Sequence, residues 1–244
     1  MAAVQGKIIL ITGANRGIGR ALLEEVLRRG ARQAYAATRE PFAHPDERVV
    51  PLRLDVTDAA QVQQAARTVS SLDVLVNNAG VALYDRLEDR AVLEHHLAVN
   101  LLGVHGVTQA FLPLLTRSRG VVVNNLAVAA VAPLPFIASY SISKAAAFAL
   151  TQVQRALLAD RGIRVHAVLT GPTETDMSRD FDAPKASPES VARAVFDGVE
   201  NQEEDIFPDS LSKAMAAGWQ SSPAKALERE YAAIAAGERA GAVP

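Results

Sequence analysis

The chain has 244 residues, 49% hydrophobic and 21% charged, with no cysteine and a formal net charge of −2. That length is enough for a well-buried core in one large domain or two small ones. The missing cysteines exclude a disulfide framework, a thiolate metal site and a cysteine nucleophile, and the near-zero charge gives no basic field for nucleic acid.

The opening stretch Met1–Thr12 lacks the basic start and cleavage site of a secretory leader, so a soluble cytoplasmic protein is expected. Lys7–Thr12 reads as a first strand, followed by a glycine turn and a helix over Gly17–Arg29 with Ile18, Leu22 and Val26 on successive turns. Further strands are expected at Ala34–Thr38, Val49–Leu54, Val74–Asn77, Val121–Asn125, Val165–Leu169 and, weakly, Ile206–Phe207. Their apolar runs are continuous, as in strands covered on both faces. Between them, Asp58–Ser70 opens on an N-capping acid, and Leu93–Thr116 and Ser139–Asp160 are long and helix-compatible. The apolar run Leu126–Ala138 carries Pro133 and Pro135 and is too short to span a bilayer. Ser187-Pro188-Glu189 starts a helix with Val191, Ala194, Val195, Gly198 and Val199 inward. A last helix from Ser222-Pro223 is expected to bury Leu227, Tyr231 and Ile234. The alternation predicts a doubly wound, Rossmann-like parallel α/β sheet of seven strands, one domain over residues 1–244, with an irregular substrate loop at about 170–186.

Two clusters carry chemistry. Thr12-Gly13-Ala14-Asn15-Arg16-Gly17-Ile18-Gly19 follows the first strand, where glycines let backbone N–H groups approach a pyrophosphate. The spacing G-x-x-x-G-x-G differs from the standard dinucleotide fingerprint. At the end of the second strand, the position of a ribose-binding carboxylate is Thr38, followed by Arg39. Arg39 and Arg16 are expected to converge on a 2′-phosphate, favouring NADP(H) over NAD; in the competing reading both are surface residues and Glu40 takes the ribose hydroxyls. The second cluster is Tyr140 and Lys144, one turn apart on one helix face, where the ammonium is expected to bring the phenol's pKa down toward neutral pH. The five histidines, His95-His96 among them, have no metal-ligand spacing and read as structural; no metal is expected.

With Asn77-Asn78-Ala79-Gly80 and Asn100 added, the chain resembles the short-chain dehydrogenase/reductase family of the compact single-domain type, over nearly its whole length. The resemblance implies hydride transfer between NAD(P)H and a carbonyl or alcohol. It assigns the cofactor to Gly13, Asn15, Arg16, Gly17, Ile18, Gly19, Arg39, Asp55, Val56 (the adenine pair), Asn78, Ala79, Gly80, Tyr140 and Lys144. Thr175 falls where the family's threonine touches the nicotinamide amide, with Thr173 in the same set. Tyr140 would exchange the substrate proton, Lys144 would bind the ribose, and Asn100 would anchor a water leading to solvent. A homodimer or homotetramer through the two long helices is also implied.

Two positions depart from the family pattern. Its Pro-Gly after the sixth strand is here Thr170-Gly171, and the serine thirteen residues before the tyrosine is Ala127. Ala127 reads as an introduced Ser-to-Ala substitution, as a native residue whose missing donor comes from the substrate or from Asn125, or as a sign that redox chemistry was abandoned. The expected activity is NADPH-dependent reduction of an apolar ketone or aldehyde, slowed by Ala127. The alternatives are a non-redox NADP(H)-binding regulator and an isomerase or dehydratase. Tyr84, Leu134, Phe136, Ile137, Met177 and Phe181 are candidates for an apolar substrate cleft.

Overall fold

The structure, a computed structural model, describes residues 4–241; the three residues at each end of the expected 1–244 domain lie outside the described residues. Seven strands form one parallel sheet: β1 (Ile8–Thr12), β2 (Gln33–Thr38), β3 (Val49–Arg53), β4 (Val74–Asn77), β5 (Val121–Asn125), β6 (Arg164–Val168) and β7 (Asp205–Ile206). The order is β3-β2-β1-β4-β5-β6-β7. Strand order reverses between β1 and β4, and this switch point opens a crevice at the carboxyl ends of the strands. Helices cover both faces: α1 (Gly17–Arg28), α2 (Ala59–Thr68), α3 (Arg90–Leu97), α4 (Val104–Ser118), α5 (Ala138–Leu158) and α6 (Pro188–Glu200). Two further helices, α7 (Ser210–Gln220) and α8 (Pro223–Gly241), close the carboxyl end of the chain.

The continuous apolar strands follow from burial on both sides. Ile9 and Ile11 of β1 join Leu22, Val26, Val191 and Phe196 in one core. Ile8 and Leu10 face the other way, among Val62, Val107, Phe111 and Leu115. Each fully buried aliphatic side chain of this kind contributes about 1.5–3 kcal/mol. Asp58 caps α2 by accepting the N–H groups of Ala60 and Gln61, and Ser187 caps α6 through Ser190 N–H, as their sequence signals require.

The expected helix Leu93–Thr116 is instead α3, a π-helical turn over Ala98–Gly103 and α4 in continuous succession. This stretch is long and apolar enough to cross a membrane, but Val107, Phe111 and Leu115 of its apolar face are packed into the core. Helix α7 has no counterpart in the expected elements. Its signal was present as Asp209 three residues before Ser212, which form a reciprocal capping box.

The last helix corrects an expectation. Leu227, Tyr231 and Ile234 are 45%, 63% and 50% exposed rather than buried. The face of α8 turned inward is charged: Lys225, 1% exposed, lies 2.7 Å from Asp205 and 2.9 Å from Glu228. Arg155 of α5 pairs with the same two carboxylates, and Trp219 Nε1 donates to Asp205 at 2.8 Å. Removing one member of such a buried set costs about 3–5 kcal/mol, because its partners keep their desolvation penalty.

His166 on β6 is buried; its Nδ1 donates to the Glu203 carbonyl at 2.6 Å, and its Nε2 has no partner among the described residues. Burial pushes its pKa down to about 4. The unfolded chain binds this proton near pH 6.5, so stability present at pH 7 is lost on acidification through the window from 6.5 to about 4. Urea unfolding at pH 7 and pH 5.5 should give a stability difference roughly 1 kcal/mol larger for the wild type than for His166→Asn; equal differences would exclude His166 as the titrating group.

Candidate active site

The glycine turn is shaped by close approach. Gly17 has φ +52°, and a Cβ on it would lie 3.0 Å from the Thr175 methyl. A Cβ on Gly19 would lie 2.0 Å from the Gly13 carbonyl oxygen and 2.5 Å from Asn78 Nδ2, so no side chain fits there. Helix α1 starts at Gly17 with no side-chain cap at Arg16 and no acidic residue in its first turn. Its first N–H groups and the positive end of its dipole are thus available to an anion. The turn opens on a cleft of about 860 Å³ lined by Gly13, Asn15, Arg16, Gly17, Ile18, Gly19, Arg39, Asp55, Val56, Asn78, Ala79, Gly80, Thr173 and Thr175. Tyr140, Lys144 and Ala127 line the same cleft. The glycine cradle and the uncapped helix fit the pyrophosphate of a nicotinamide dinucleotide.

The floor of the cleft is a chain of hydrogen bonds across the strand ends. Thr12 Oγ1 accepts the N–H groups of Asn78 and Ala79 at 2.9 and 3.0 Å. Asn78 Nδ2 donates to the Thr12 carbonyl. Asn125 Nδ2 donates to Asn78 Oδ1, and Thr170 Oγ1 donates to Asn125 Oδ1, both at 2.9 Å. Thr170, the departure from the family's proline, is therefore a member of this chain. Both ends of the Asn125 carboxamide are engaged, with one of its two Nδ2 hydrogens given to Asn78.

Lys144, buried on α5, donates from Nζ to the Asn125 carbonyl oxygen at 2.9 Å and lies 5.7 Å from the centroid of the Tyr140 ring. Burial lowers the Lys144 pKa to about 8. The phenol departs from expectation: burial pushes the Tyr140 pKa up, well above its ordinary value. The ammonium is drawn to a backbone carbonyl, and desolvation of the phenolate dominates. At neutral pH Tyr140 is a protonated acid. Asn100 sits in the π-helical turn, a local widening often found at functional sites. Its Oδ1 accepts Val81 N–H, and its Nδ2 donates to the Val81 carbonyl and to Ser143 Oγ, each at 2.9 Å. The Asn100 side chain thus braces the loop after β4 against α5.

Arg16 and Arg39, the pair expected at a 2′-phosphate, both line the cleft. Arg16 Nη1 lies 3.4 Å from Asp176 on the 170–186 loop, whereas Arg39 is close enough to Asp55 to contribute to lowering its pKa. The main cause of that lowering is the pair of hydrogen bonds Asp55 accepts from Thr57. His96 is buried against Tyr140, with Nδ1 on the Val92 carbonyl and Nε2 accepting Leu83 N–H, a structural role. His95 lines the cleft.

The sequence reading missed Asp85. Its carboxylate accepts Ser139 N–H at 3.0 Å and Ser139 Oγ–H at 2.5 Å, capping the start of the helix that carries Tyr140. The only signal was an acid in the loop after β4, too remote in sequence from Ser139 to be paired with it.

A parallel sheet with a glycine-lined cleft at its switch point and a Tyr–Lys pair on the facing helix defines a dinucleotide-binding α/β protein. Residues 7–186 match the short chain dehydrogenase family, and the chain belongs to it, an oxidoreductase family with a Rossmann-like fold. It is 30% identical to a ketoacyl reductase of Nostoc, over 95% of this chain and 90% of that protein. A 3-oxoacyl-acyl-carrier-protein reductase of Thermotoga maritima is 35% identical over 72% of this chain and 77% of its own. The crystal structure of a short chain dehydrogenase from Burkholderia cenocepacia in complex with NADP is 35% identical, covers 93% of this chain and 98% of its own, and has a TM-score of 0.84.

Gly19→Ala tests the cradle. The added methyl must displace backbone, so the NADPH dissociation constant, measured by fluorescence titration, should rise at least about tenfold, or the melting temperature should fall by several degrees. No change in either measurement would contradict the geometry.

Proposed function

We propose that this protein reduces an apolar ketone or aldehyde to the alcohol with NADPH. The observation that carries the reading is the pairing of Tyr140 and Lys144 on one face of α5, in the cleft that the glycine turn also lines. Arg39 supports NADPH over NADH: it follows Thr38, which stands at the position of a ribose-binding carboxylate and whose hydroxyl is committed to the Glu40 carbonyl at 2.8 Å. The NADP in the Burkholderia relative supports the same choice. Gly13, Asn15, Gly17, Ile18 and Gly19 would hold the pyrophosphate, Asp55 and Val56 the adenine, and Thr173 and Thr175 the nicotinamide end. When bound, NADPH supplies the hydride.

The other roles belong to the chain. Tyr140, protonated at neutral pH, donates its proton to the carbonyl oxygen as the carbon is reduced, which is the form a reductase requires. Lys144, held by the Asn125 carbonyl, stabilises the phenolate left behind and binds the ribose hydroxyls. Asn100 keeps the loop after β4 and α5 in register. Ala127 lines the cleft and offers no hydrogen bond to the developing oxyanion, so the reaction runs below the rate this site could support. We read the chain as a cytoplasmic enzyme, in keeping with its lack of cysteine, and as a homo-oligomer. Exposed Leu102, Ile142 and Val153, on the π turn and α5, support pairing of copies.

The decisive experiment follows NADPH absorbance against a panel of hydrophobic ketones. Tyr140→Phe should abolish turnover while leaving nucleotide binding within a few-fold. Ala127→Ser should raise kcat by roughly tenfold or more, with little change in NADPH affinity. Binding without turnover in both the wild type and Ala127→Ser would favour a non-redox nucleotide-binding protein. Product without net NADPH consumption would favour an isomerase or dehydratase.

The lysine sets the pH dependence. Its ammonium is lost in the free enzyme as pH rises through about 8, so kcat/KM for NADPH should fall above that pH. Lys144→Arg should remove this limb, because a guanidinium stays charged; a flat profile to pH 10 in the wild type would contradict the assignment.

A further inference from the structure

The chain holds only seven Phe, four Tyr and one Trp, yet three aromatic side chains from three separate loops meet at this cleft. Tyr84 comes from the loop after β4, Phe136 from the segment before α5, and Phe181 from the 170–186 loop. The Tyr84 and Phe136 ring centroids are 6.2 Å apart with planes 21° from parallel; Phe136 and Phe181 are 5.9 Å apart at 25°. All three line the cleft that contains Tyr140, as do Leu134 and Met177. Tyr84 is 56% and Phe136 36% exposed, so the row of rings presents open apolar surface.

Two of the rings are fixed relative to the reacting group. Asp85 N–H donates to the Phe136 carbonyl at 3.1 Å, and residues 85 and 137 form an isolated parallel bridge. The Asp85 carboxylate caps α5 through Ser139, the neighbour of Tyr140. The backbone that aligns the rings is therefore the backbone that starts the catalytic helix. A group lying on the rings has a set distance to the phenol.

The chemistry of this surface selects its occupant. Among the described residues, the Lys and Arg side chains lining the cleft are Arg16, which pairs with Asp176, and Arg39 and Lys144, assigned above to the nucleotide. On the aromatic side the nearest cations, Arg179 and Lys185 in the pocket beside Phe181, are engaged by Asp176 and by the Arg179 carbonyl. Near-parallel rings form an offset stack, and a further aromatic ring extends that geometry, whereas a flexible alkyl chain gains contact area without the stack.

We infer that Tyr84, Phe136 and Phe181 form a recognition wall for an uncharged aryl ketone or aldehyde, whose planar ring stacks on the wall and whose carbonyl reaches Tyr140. This names the substrate class of the reductase reading above and rests on it. The carbonyl carbon takes the hydride of NADPH and the oxygen takes the Tyr140 proton, giving NADP+ and the aryl carbinol.

The test compares 2-acetylnaphthalene, 2-butanone and a straight-chain β-keto thioester with the wild type, Tyr84→Leu and Phe136→Leu. Leucine keeps the surface apolar and removes only the ring. Wild type should favour the naphthyl ketone, and each variant should lower its kcat/KM relative to 2-butanone by at least about tenfold, mainly through KM. A second readout needs no turnover: titration of 2-acetylnaphthalene into the wild type with NADP+ should show binding that each leucine variant weakens by a similar factor. Preference for the thioester, equal losses on all substrates, or no naphthyl binding would overturn the wall. If the naphthyl ligand binds and the variants weaken it, yet no ketone is reduced, the wall stands and the reductase reading fails.

Discussion

A buried ammonium requires a fixed acceptor, and Lys144 has one in the carbonyl oxygen of Asn125, the last residue of β5. That carbonyl is held in place because the Asn125 side chain is tied to Asn78 on one side and Thr170 on the other. Asn78 is in turn tied to Thr12 at the end of β1. The ends of β1, β4, β5 and β6 are thus locked together under the cleft, and α5 is fastened to them by its own lysine. Preorganisation of this kind is what lets a small set of polar groups act without rearranging during the reaction.

Much of the fold was legible because a parallel sheet buried on both faces demands continuous aliphatic strands, and Ile8–Thr12 and Val121–Asn125 have nothing else to be. Glycines in the first turn were legible for a similar reason, since contacts as close as those around Gly19 leave no alternative residue. What stayed hidden depended on partners distant in sequence. The outward face of α8 looked like a core stripe, because nothing local says that Lys225 would be drawn under the helix by Asp205 and Glu228. Asp85 and Ser139 are likewise separated by 54 residues. The Arg16–Asp176 contact spans the cleft, and no pattern in the glycine turn could anticipate it.

The Tyr140 result shows how a motif and its environment can pull in different directions. Spacing alone put a cation beside a phenol and implied a lowered pKa. Enclosure by the protein has the larger effect and keeps the proton on the oxygen. For a reductase the outcome is useful, because the acid is loaded at the pH where it is needed. Ala127, which lines the same cleft, brings only a methyl group to it.

The seat of α8 has a consequence for how the end of the chain could be trimmed. Lys225 and Glu228 carry opposite charges and belong to the same helix. Excising the whole helix removes both together, leaving Arg155 and Asp205 still matched to each other and newly wetted by solvent. Neutralising Lys225 alone keeps the helix as a cover while leaving two carboxylates short of a countercharge in a dry place. Either edit leaves the cluster one positive charge short, since Glu204 also leans on Lys225 and Arg229; the two differ in whether the carboxylates left behind are wet or dry.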